Sequence, residues 1–206
     1  MSDAATIRLR PEEPGDAAAI RQIHRLAFEG EVEAEIVDAI RAAEAAVLSL
    51  VAEEAAGGGA AGSLPSGAAE IGADGGAAGA DAGATGGLLV GHVLFTNVTV
   101  TTADGDEMGL LSLAPVGVLP SRQNEGIGTM LIEAGLEQLR DEGHPAVVVL
   151  GHPSYYPRFG FVPASSFGLR WEMDAPDEAF MALELSAGAL AGVRGVVRFR
   201  PEFDGA

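Results

Sequence analysis

The stretch that most constrains the fold of this chain is centred on residues 118–131, where the sequence changes its periodicity. Residues 110–118 are mostly apolar, as expected for a buried strand. After Gly126, apolar residues recur at roughly helical spacing: Ile127, Leu131, Ala134 and Leu139. The sequence therefore predicts a strand, a turn with two glycines at its end, and an amphipathic helix over residues 126–141.

The start of such a helix can bind an anion. Its first amides have no intrahelical acceptor, and the helix dipole places partial positive charge at the same point. Gly126 and Gly128 have no Cβ, so a bulky anion can approach the backbone closely. The pattern favours a phosphate or diphosphate site, and the alternative is a tightly packed strand–helix connection that binds nothing.

Two nucleotide-binding folds are excluded. The chain contains no lysine and no Gly-x-x-x-x-Gly-Lys-Ser/Thr run, so it is not a P-loop NTPase. The dinucleotide motif would need a third glycine after Gly128, and the strand predicted at residues 146–150 ends in Gly151-His152 instead of a ribose-binding acid.

Two motifs, in order along the chain, resemble a known family. The first has the pattern Val-x-Pro-x-x-Gln-x-x-Gly-x-Gly and is similar to the acyl-CoA-binding motif of the GNAT superfamily of N-acetyltransferases: Val118, Pro120, Gln123, Gly126 and Gly128. The second, at residues 155–161, resembles that superfamily's aromatic-Tyr-x-x-x-Gly-Phe motif. The run Gly-His-Pro-Ser-Tyr-Tyr-Pro-Arg-Phe-Gly-Phe is similar to the YhbS-type branch.

The resemblance covers most of the chain from about Thr6 onwards. It implies an α/β, GNAT-like three-layer fold: a mixed, mostly antiparallel sheet that splays at the acyl-CoA site, with helices on both faces. It implies acetyl-CoA as co-substrate and a primary amine, on a small molecule or a protein, as acceptor. Backbone groups of two segments would hold the cofactor: Val116, Gly117 and Val118 along the pantetheine, and Gln123, Asn124, Glu125, Gly126, Ile127, Gly128 and Thr129 around the diphosphate.

The resemblance assigns the general acid to Tyr156, which stands four residues before Gly160 as in the family motif. A phenol with its ordinary pKa near 10 keeps its proton at neutral pH and can donate it to a departing thiolate. Tyr155 is predicted to pack, and packing is the alternative for both tyrosines.

The general base is less defined by the sequence. Family members often carry a glutamate on the central strand, but residues 110–113 contain no acid. Histidine gains and loses its proton near neutral pH, so His152, beside the tyrosines, is a candidate catalytic base. Alternatively, His152 hydrogen-bonds the turn at residues 151–153. Arg158 either contacts a phosphate or, as we favour, braces its loop.

Two helices are predicted near the N-terminus, at residues 16–28 with Asp16 as the N-cap and at residues 31–43. The resemblance places this region over the acceptor site, so four side chains could meet the acceptor: Phe28, Glu31, Glu33 and Glu35. The alternative for the acids is a solvated face. His24, inside the first helix, is predicted to be structural or exposed.

Further strands are predicted at residues 7–10, 47–52, 88–96 with a continuation at 98–101, 109–118, 146–150, 167–172, 180–185 and 193–199. Residues 54–87 are mostly Ala, Gly, Ser and Asp and cannot bury enough apolar surface to offset the entropy of ordering. This segment is predicted to be a mobile loop that lengthens a hairpin within a single domain of 206 residues. Pro115 lacks an amide hydrogen, which suits a strand edge that opens.

Thirty acidic residues and twelve basic ones give a net charge of −18. Such a surface repels nucleic acids and anionic membranes, and also coenzyme A. Because the Debye length falls to about 3 Å near 1 M salt, the composition predicts a halophilic protein adapted to a salty cytoplasm.

The remaining predictions follow from residue types and segments that the sequence lacks. The chain has no cysteine, its four histidines lack metal-ligand spacing, and it has no long apolar run. We therefore expect a cytoplasmic enzyme without a metal, nucleic-acid or membrane partner, and a homodimer is common in the family. The alternatives are an acyl-CoA-binding sensor without chemistry, or an α/β protein whose loop binds nothing.

Overall fold

The computed structural model describes residues 6–55 and 87–204, and within these ranges nine strands form one sheet. The strands are β1 Ile7–Pro11, β2 Ala46–Glu54, β3 Leu88–Thr102, β4 Glu107–Val118, β5 Ala146–Leu150, β6 Val162–Pro163, β7 Leu169–Trp171, β8 Phe180–Glu184 and β9 Gly195–Arg198. The helices are α1 Ala17–Ala27, α2 Val32–Ala42 and α3 Ile127–Asp141.

The main strand order is β1-β2-β3-β4-β5-β8-β6, and β9 pairs with both β3 and β7. The pairs β4–β5 and β7–β9 are parallel, and the other pairs are antiparallel. The sheet is therefore mixed and mostly antiparallel, as predicted.

The helices cover both faces of this sheet. Successive strand residues point to opposite faces, and in β3 Val93 and Phe95 belong to the core cluster that contains Leu131 of α3. Leu94, between them, packs in a separate cluster with Ile20 of α1 and with α2. The three-layer α/β architecture predicted from the sequence is confirmed.

The sheet splays between β4 and β5. β4 pairs with β5 only through Leu111↔Val147 and Ser112↔Val148. On its other side the register with β3 shifts, because Leu113 pairs with Phe95 and Val116 pairs with Val93. Ala114 and Pro115 together therefore oppose Leu94, which is a β-bulge. Beyond Ser112 the edge of β4 that faces β5 is unpaired within the described residues.

Most differences from the predicted elements lie at their ends. β3 continues without a break through Asn97, and β7 is shorter than predicted because Ala164–Phe167 forms a 3₁₀ turn. Asp16 occupies the predicted N-cap position, but its carboxylate does not cap α1. It accepts hydrogen bonds from the Arg10 guanidinium and the Glu13 amide instead.

The predicted insertion at residues 54–87 lies outside the described residues except at its ends. Glu54 is still part of β2, and Gly87 precedes β3. β2 and β3 pair antiparallel from Ala46↔Thr96 to Glu54↔Leu88, so the insertion joins two hairpin strands. In the described ranges, no helix is both long and apolar enough to cross a membrane.

Candidate active site

The opening between β4 and β5 contains a cavity of about 990 Å³, near the upper end of the roughly 300–1,000 Å³ typical of small-molecule and cofactor sites. Its floor is formed by β4, at Leu113–Val116 and Val118. Three further groups of residues form its sides. The anion loop side has Arg122, Gln123, Asn124, Gly126, Ile127, Gly128 and Thr129; the tyrosine segment has Leu150, Gly151, His152, Tyr155, Tyr156 and Arg158; and the apolar wall has Ala27, Phe28, Glu33, Ile36, Trp171, Met173, Phe199 and Phe203.

The anion loop, residues 123–129, presents a series of free amides. Asn124 and Gly126 have positive φ angles, 64° and 85°, and turn the chain into α3. The Met130 amide donates to the Gly126 carbonyl at 3.0 Å. By contrast, the amides of residues 124–129 donate to no other residue in the described part of the chain. These donors lie at the positive end of the helix dipole and can bind a diphosphate.

Gln123 differs from its neighbours in the anion loop. Its amide makes a long hydrogen bond to the Pro120 carbonyl at 3.4 Å, and its side-chain amide donates to the Val118 carbonyl at 3.2 Å. The side chain therefore ties the loop to the end of β4.

Two of the predicted cofactor-binding residues do not line the cavity. Glu125 accepts a hydrogen bond from Nε of Arg122 at 2.9 Å, and Arg122 also pairs with Glu54. Arg122, the cation next to the anion loop, is thus paired with two carboxylates. Gly117 faces the other side of the sheet, where a methyl group on it would lie 2.9 Å from Nδ1 of His24.

Tyr156 borders the cavity at the edge of the main core. It is 8% exposed, and its ring packs against Gly151, Tyr155 and Phe161. Burial, with a smaller contribution from Tyr155, raises the pKa of Tyr156 above its ordinary value. The phenol therefore remains protonated at neutral pH. Its hydroxyl makes no hydrogen bond to another described residue.

Tyr155 has a position that the sequence analysis missed. A methyl group on Gly128 would lie 3.2 Å from the Tyr155 hydroxyl oxygen, so this side chain reaches from the tyrosine segment to the anion loop. The Arg158 guanidinium lies 4.4 Å from the centre of the Tyr155 ring. Tyr155 and Tyr156 therefore both border the cavity, and Tyr155 is the one beside the predicted diphosphate site.

His152 is exposed at the cavity edge. Its carbonyl accepts a hydrogen bond from the Tyr155 amide at 3.0 Å. Its imidazole makes no hydrogen bond within the described residues, so the turn is held by its backbone and the ring is free to contact a ligand.

The apolar wall contains two of the four side chains considered for the acceptor, Phe28 and Glu33. Glu31 pairs with Arg21 and Arg25, and Glu35 is exposed outside the cavity.

A buried polar chain behind β4 is a second feature that the sequence analysis missed. His24 and His92 are both 0% exposed, and Nε2 of His24 lies 2.8 Å from Nδ1 of His92. Nε2 of His92 lies 2.8 Å from the Ser49 hydroxyl, which donates to Glu12. The proton positions follow. Ser49 must accept from His92 Nε2–H, so His92 Nδ1 accepts from His24 Nε2–H.

This arrangement keeps both histidines neutral. Burial, then the positive potential of His92 and Arg41, lowers the pKa of His24 to about 3, and burial also lowers the pKa of His92. Burial acts to raise the pKa of Glu12, but hydrogen bonds outweigh it and lower that pKa to about 2. His24 is too weak a base to act at neutral pH, so its structural interpretation holds. The sequence signal for this buried polar chain is a histidine at an apolar position of a helix together with a histidine at an apolar position of a strand.

Within residues 6–55 and 87–204, no three His, Asp or Glu side chains are grouped so that they could hold a metal ion.

Comparison with known proteins gives consistent matches. Residues 74–164 match the family described as Acetyltransferase (GNAT) domain. The N-acetyltransferase YhbS of Escherichia coli (strain K12) is 29% identical over 196 residues, which cover 95% of this chain and 98% of YhbS. The crystal structure of Escherichia coli YhbS in complex with CoA superposes with a TM-score of 0.78 at 28% identity, covering 99% of this chain and 95% of that one. A GNAT family acetyltransferase from Brucella melitensis in complex with acetyl-CoA has a TM-score of 0.68 at 35% identity, covering 97% and 99% of the two chains.

Proposed function

Because this chain belongs to the GNAT superfamily and is an N-acetyltransferase that uses acetyl-CoA, we propose that it acetylates a primary amine by direct attack, with Tyr156 as the general acid. One observation carries this proposal. Residue 124 and residues 126–129, whose amides are free, and Tyr156, whose phenol is protonated, border the same cavity at the place where β4 and β5 separate.

The chain would hold the cofactor mainly through its backbone. The amides of residues 124–129 would bind the diphosphate, and the free edge of β4 around Val116 and Val118 would hydrogen-bond the pantetheine. Acetyl-CoA supplies an activated acetyl thioester. The Tyr155 hydroxyl, next to Gly128, would fix the cofactor at the junction of these two segments.

The transfer itself requires the nitrogen to lose two protons and the sulfur to gain one. The amine nitrogen forms a bond to the acetyl carbon while the carbon–sulfur bond breaks. Before or during this step the substrate ammonium must lose a proton, and we propose that His152 accepts it, directly or through one water molecule. Tyr156 donates a proton to the departing sulfur. The nitrogen loses its second proton as the amide forms, and this proton restores the Tyr156 phenol, directly or through water.

The Tyr156→Phe substitution tests this assignment. We expect kcat to fall by about 10²–10⁴-fold, the usual contribution of a general acid, while the affinity for acetyl-CoA stays unchanged. Thiol release measures the first quantity and calorimetric titration the second. The matched variant Tyr155→Phe should instead raise the KM for acetyl-CoA with a smaller effect on kcat.

The outcomes separate an enzyme from a sensor. Full kcat in Tyr156→Phe would refute the general-acid role. A wild-type protein that binds acetyl-CoA but shows no turnover with any amine would be a non-catalytic acyl-CoA sensor.

We also propose that the protein works best at high salt. Arg122 is neutralised by Glu54 and Glu125, so backbone amides would have to bind a polyanion on a molecule of net charge −18. Salt would screen this repulsion.

A further inference from the structure

We propose that the acceptor is a small primary amine on an apolar, aromatic body, bound between Glu33 and the aromatic side chains of the apolar wall. This inference rests on the proposed transfer reaction and specifies the acceptor that the sequence leaves open. In the reaction, the ammonium loses one proton, its nitrogen bonds to the acetyl carbon as the carbon–sulfur bond breaks, and the sulfur takes a proton from Tyr156. The nitrogen then loses its second proton, which restores the Tyr156 phenol.

The acceptor must approach from the apolar wall. The anion loop and the tyrosine segment form the two sides where the resemblance places the cofactor. The apolar wall is formed by other elements: the end of α1, α2, the end of β7 with the segment that follows it, and the chain after β9. It therefore borders the part of the cavity left for the second substrate.

Half of the residues of this wall are aromatic. Trp171 and Phe199 pack edge to face with ring centres 5.8 Å apart, and Phe199 and Phe203 do so at 5.6 Å. Phe203 also packs against the cluster that contains Ile36 of α2. These side chains hold one another in place, and a preorganised aromatic surface favours a flat apolar group.

Two large apolar side chains of the same wall remain open to solvent. Phe28 is 42% exposed and Met173 is 59% exposed. Exposed apolar groups gathered around a cavity mark a binding site, because covering them removes apolar surface from water. The body of the acceptor would provide this cover.

The wall carries a single negative charge. Glu33 is the one carboxylate among the described residues that line the cavity, and it forms no ion pair or hydrogen bond with another described residue. A single ammonium can pair with it and can also interact with the aromatic faces. A second buried cation would have no partner here and would pay its full desolvation cost. The wall therefore disfavours polyamines and aminoglycosides.

Trp171 provides a direct binding assay, because it is the only tryptophan in the sequence. The CoA-bound protein is titrated with 2-phenylethylamine, with 2-phenylethanol, which lacks the ammonium, and with spermidine. We expect saturable fluorescence change with 2-phenylethylamine, weaker binding of the alcohol, and no saturation with spermidine. Glu33→Gln should weaken binding of 2-phenylethylamine about two- to fivefold, the factor for losing a partly exposed ion pair.

The matched control is Glu35→Gln. It removes the same charge from the exposed face of α2, outside the cavity, and should leave the affinity for 2-phenylethylamine unchanged. Equal affinity in wild type and Glu33→Gln would overturn the role of this carboxylate.

Turnover then distinguishes this inference from the proposed function. Thiol release from acetyl-CoA is measured with 2-phenylethylamine, spermidine and a short peptide with a free N-terminus. A higher kcat/KM for 2-phenylethylamine supports the inference. A higher kcat/KM for spermidine or the peptide, or no turnover of the aromatic amine, overturns the inference about the acceptor. Binding of acetyl-CoA in the same experiment would still support the proposed cofactor site. Failure to bind acetyl-CoA at all would refute the proposed function itself.

Discussion

Gly151 determines where the Tyr156 ring can lie. A methyl group at this position would overlap Cε2 of the ring and lie 3.0 Å from Cδ2. The ring cannot easily move away, because Phe161 packs on it with ring centres 5.8 Å apart. We therefore expect Gly151→Ala to displace the phenol and lower kcat by about tenfold to a hundredfold, since an error of about 1 Å in a catalytic group can cost that much.

Steady-state kinetics would check this prediction, with thermal unfolding to verify the fold. Gly109→Ala is a suitable control, since a methyl group there would meet no other atom within 4 Å. Wild-type kcat in Gly151→Ala would mean that the exact position of Tyr156 is unimportant.

The buried histidines predict how stability depends on pH. The folded protein holds His24 neutral with a pKa of about 3, and the pKa of His92 is also lowered, whereas both histidines take up protons below about pH 6.5 when unfolded. The unfolded state therefore binds more protons between these values, and the free energy of unfolding falls as the pH falls. Each histidine contributes at most about 1.4 kcal/mol per pH unit in this window.

Urea unfolding at several pH values between about 7.5 and 5 would measure this slope. The pKa of Glu12 is lowered to about 2 from an ordinary value of 4.5. Glu12 therefore reduces the free energy of unfolding only below about pH 4.5, outside this range. His24→Phe should reduce the slope. A free energy of unfolding that stays constant from pH 7.5 to 5 would contradict the neutral buried pair.

The packing of α3 on the sheet depends on a glycine within the helix. A methyl group on Gly135 would lie 2.5 Å from Cε2 and 2.8 Å from Cζ of Phe95, which is fully buried in β3. Alanine favours helix by about 1 kcal/mol over glycine, but overpacking typically costs about 1–3 kcal/mol. Because Phe95 has no space to move into, we expect Gly135→Ala to lower the free energy of unfolding by about 1–2 kcal/mol.

Chemical denaturation would test this value, with Glu137→Ala on the exposed face of α3 as the control. A surface change of that kind should stay within about 0.5 kcal/mol of wild type. Increased stability in Gly135→Ala would show that helix propensity outweighs packing at this contact.

The elements themselves were largely predictable from local patterns. Helical spacing after Gly126 located α3, and the β-branched run at Ala146–Leu150 located β5 with the observed ends. The missed features depend on side-chain contacts between separate elements. Asp16 is bonded to Arg10 of the neighbouring strand, and His24 and His92 meet across 68 positions in sequence. No periodicity within one element can indicate such a pairing.

The same limit applies to the candidate site. The motifs predicted the anion loop and the tyrosine segment because each is a continuous run of sequence. The apolar wall combines Phe28, Glu33, Trp171 and Phe199 from separate elements, and only the folded sheet brings them together. The sequence offered three acids of residues 31–35 as possible contacts to the acceptor, whereas Glu33 is the one acid among the described residues that line the cavity.

The charge of the whole molecule predicts an unusual response to salt. Sites that bind phosphates through cations lose affinity as salt rises. Here the net charge is −18, and Arg122 beside the anion loop already pairs with Glu54 and Glu125. The proposed contacts to the diphosphate are backbone amides, whose short-range hydrogen bonds are little screened. Salt should therefore mainly remove the long-range repulsion, since the Debye length falls from about 10 Å at 0.1 M to about 3 Å at 1 M.

We accordingly expect the KM for acetyl-CoA to fall between about 0.1 and 1 M KCl. Glu125→Gln should lower the KM at low salt and flatten its salt dependence, because it removes a carboxylate from the loop and frees Arg122 from one partner. Glu137→Gln removes the same charge from the exposed face of α3 and should change the KM much less, because screening weakens a charge with distance. A KM that rises with KCl would instead indicate that side-chain cations hold the diphosphate, and the acidity of the surface would then have no part in cofactor binding.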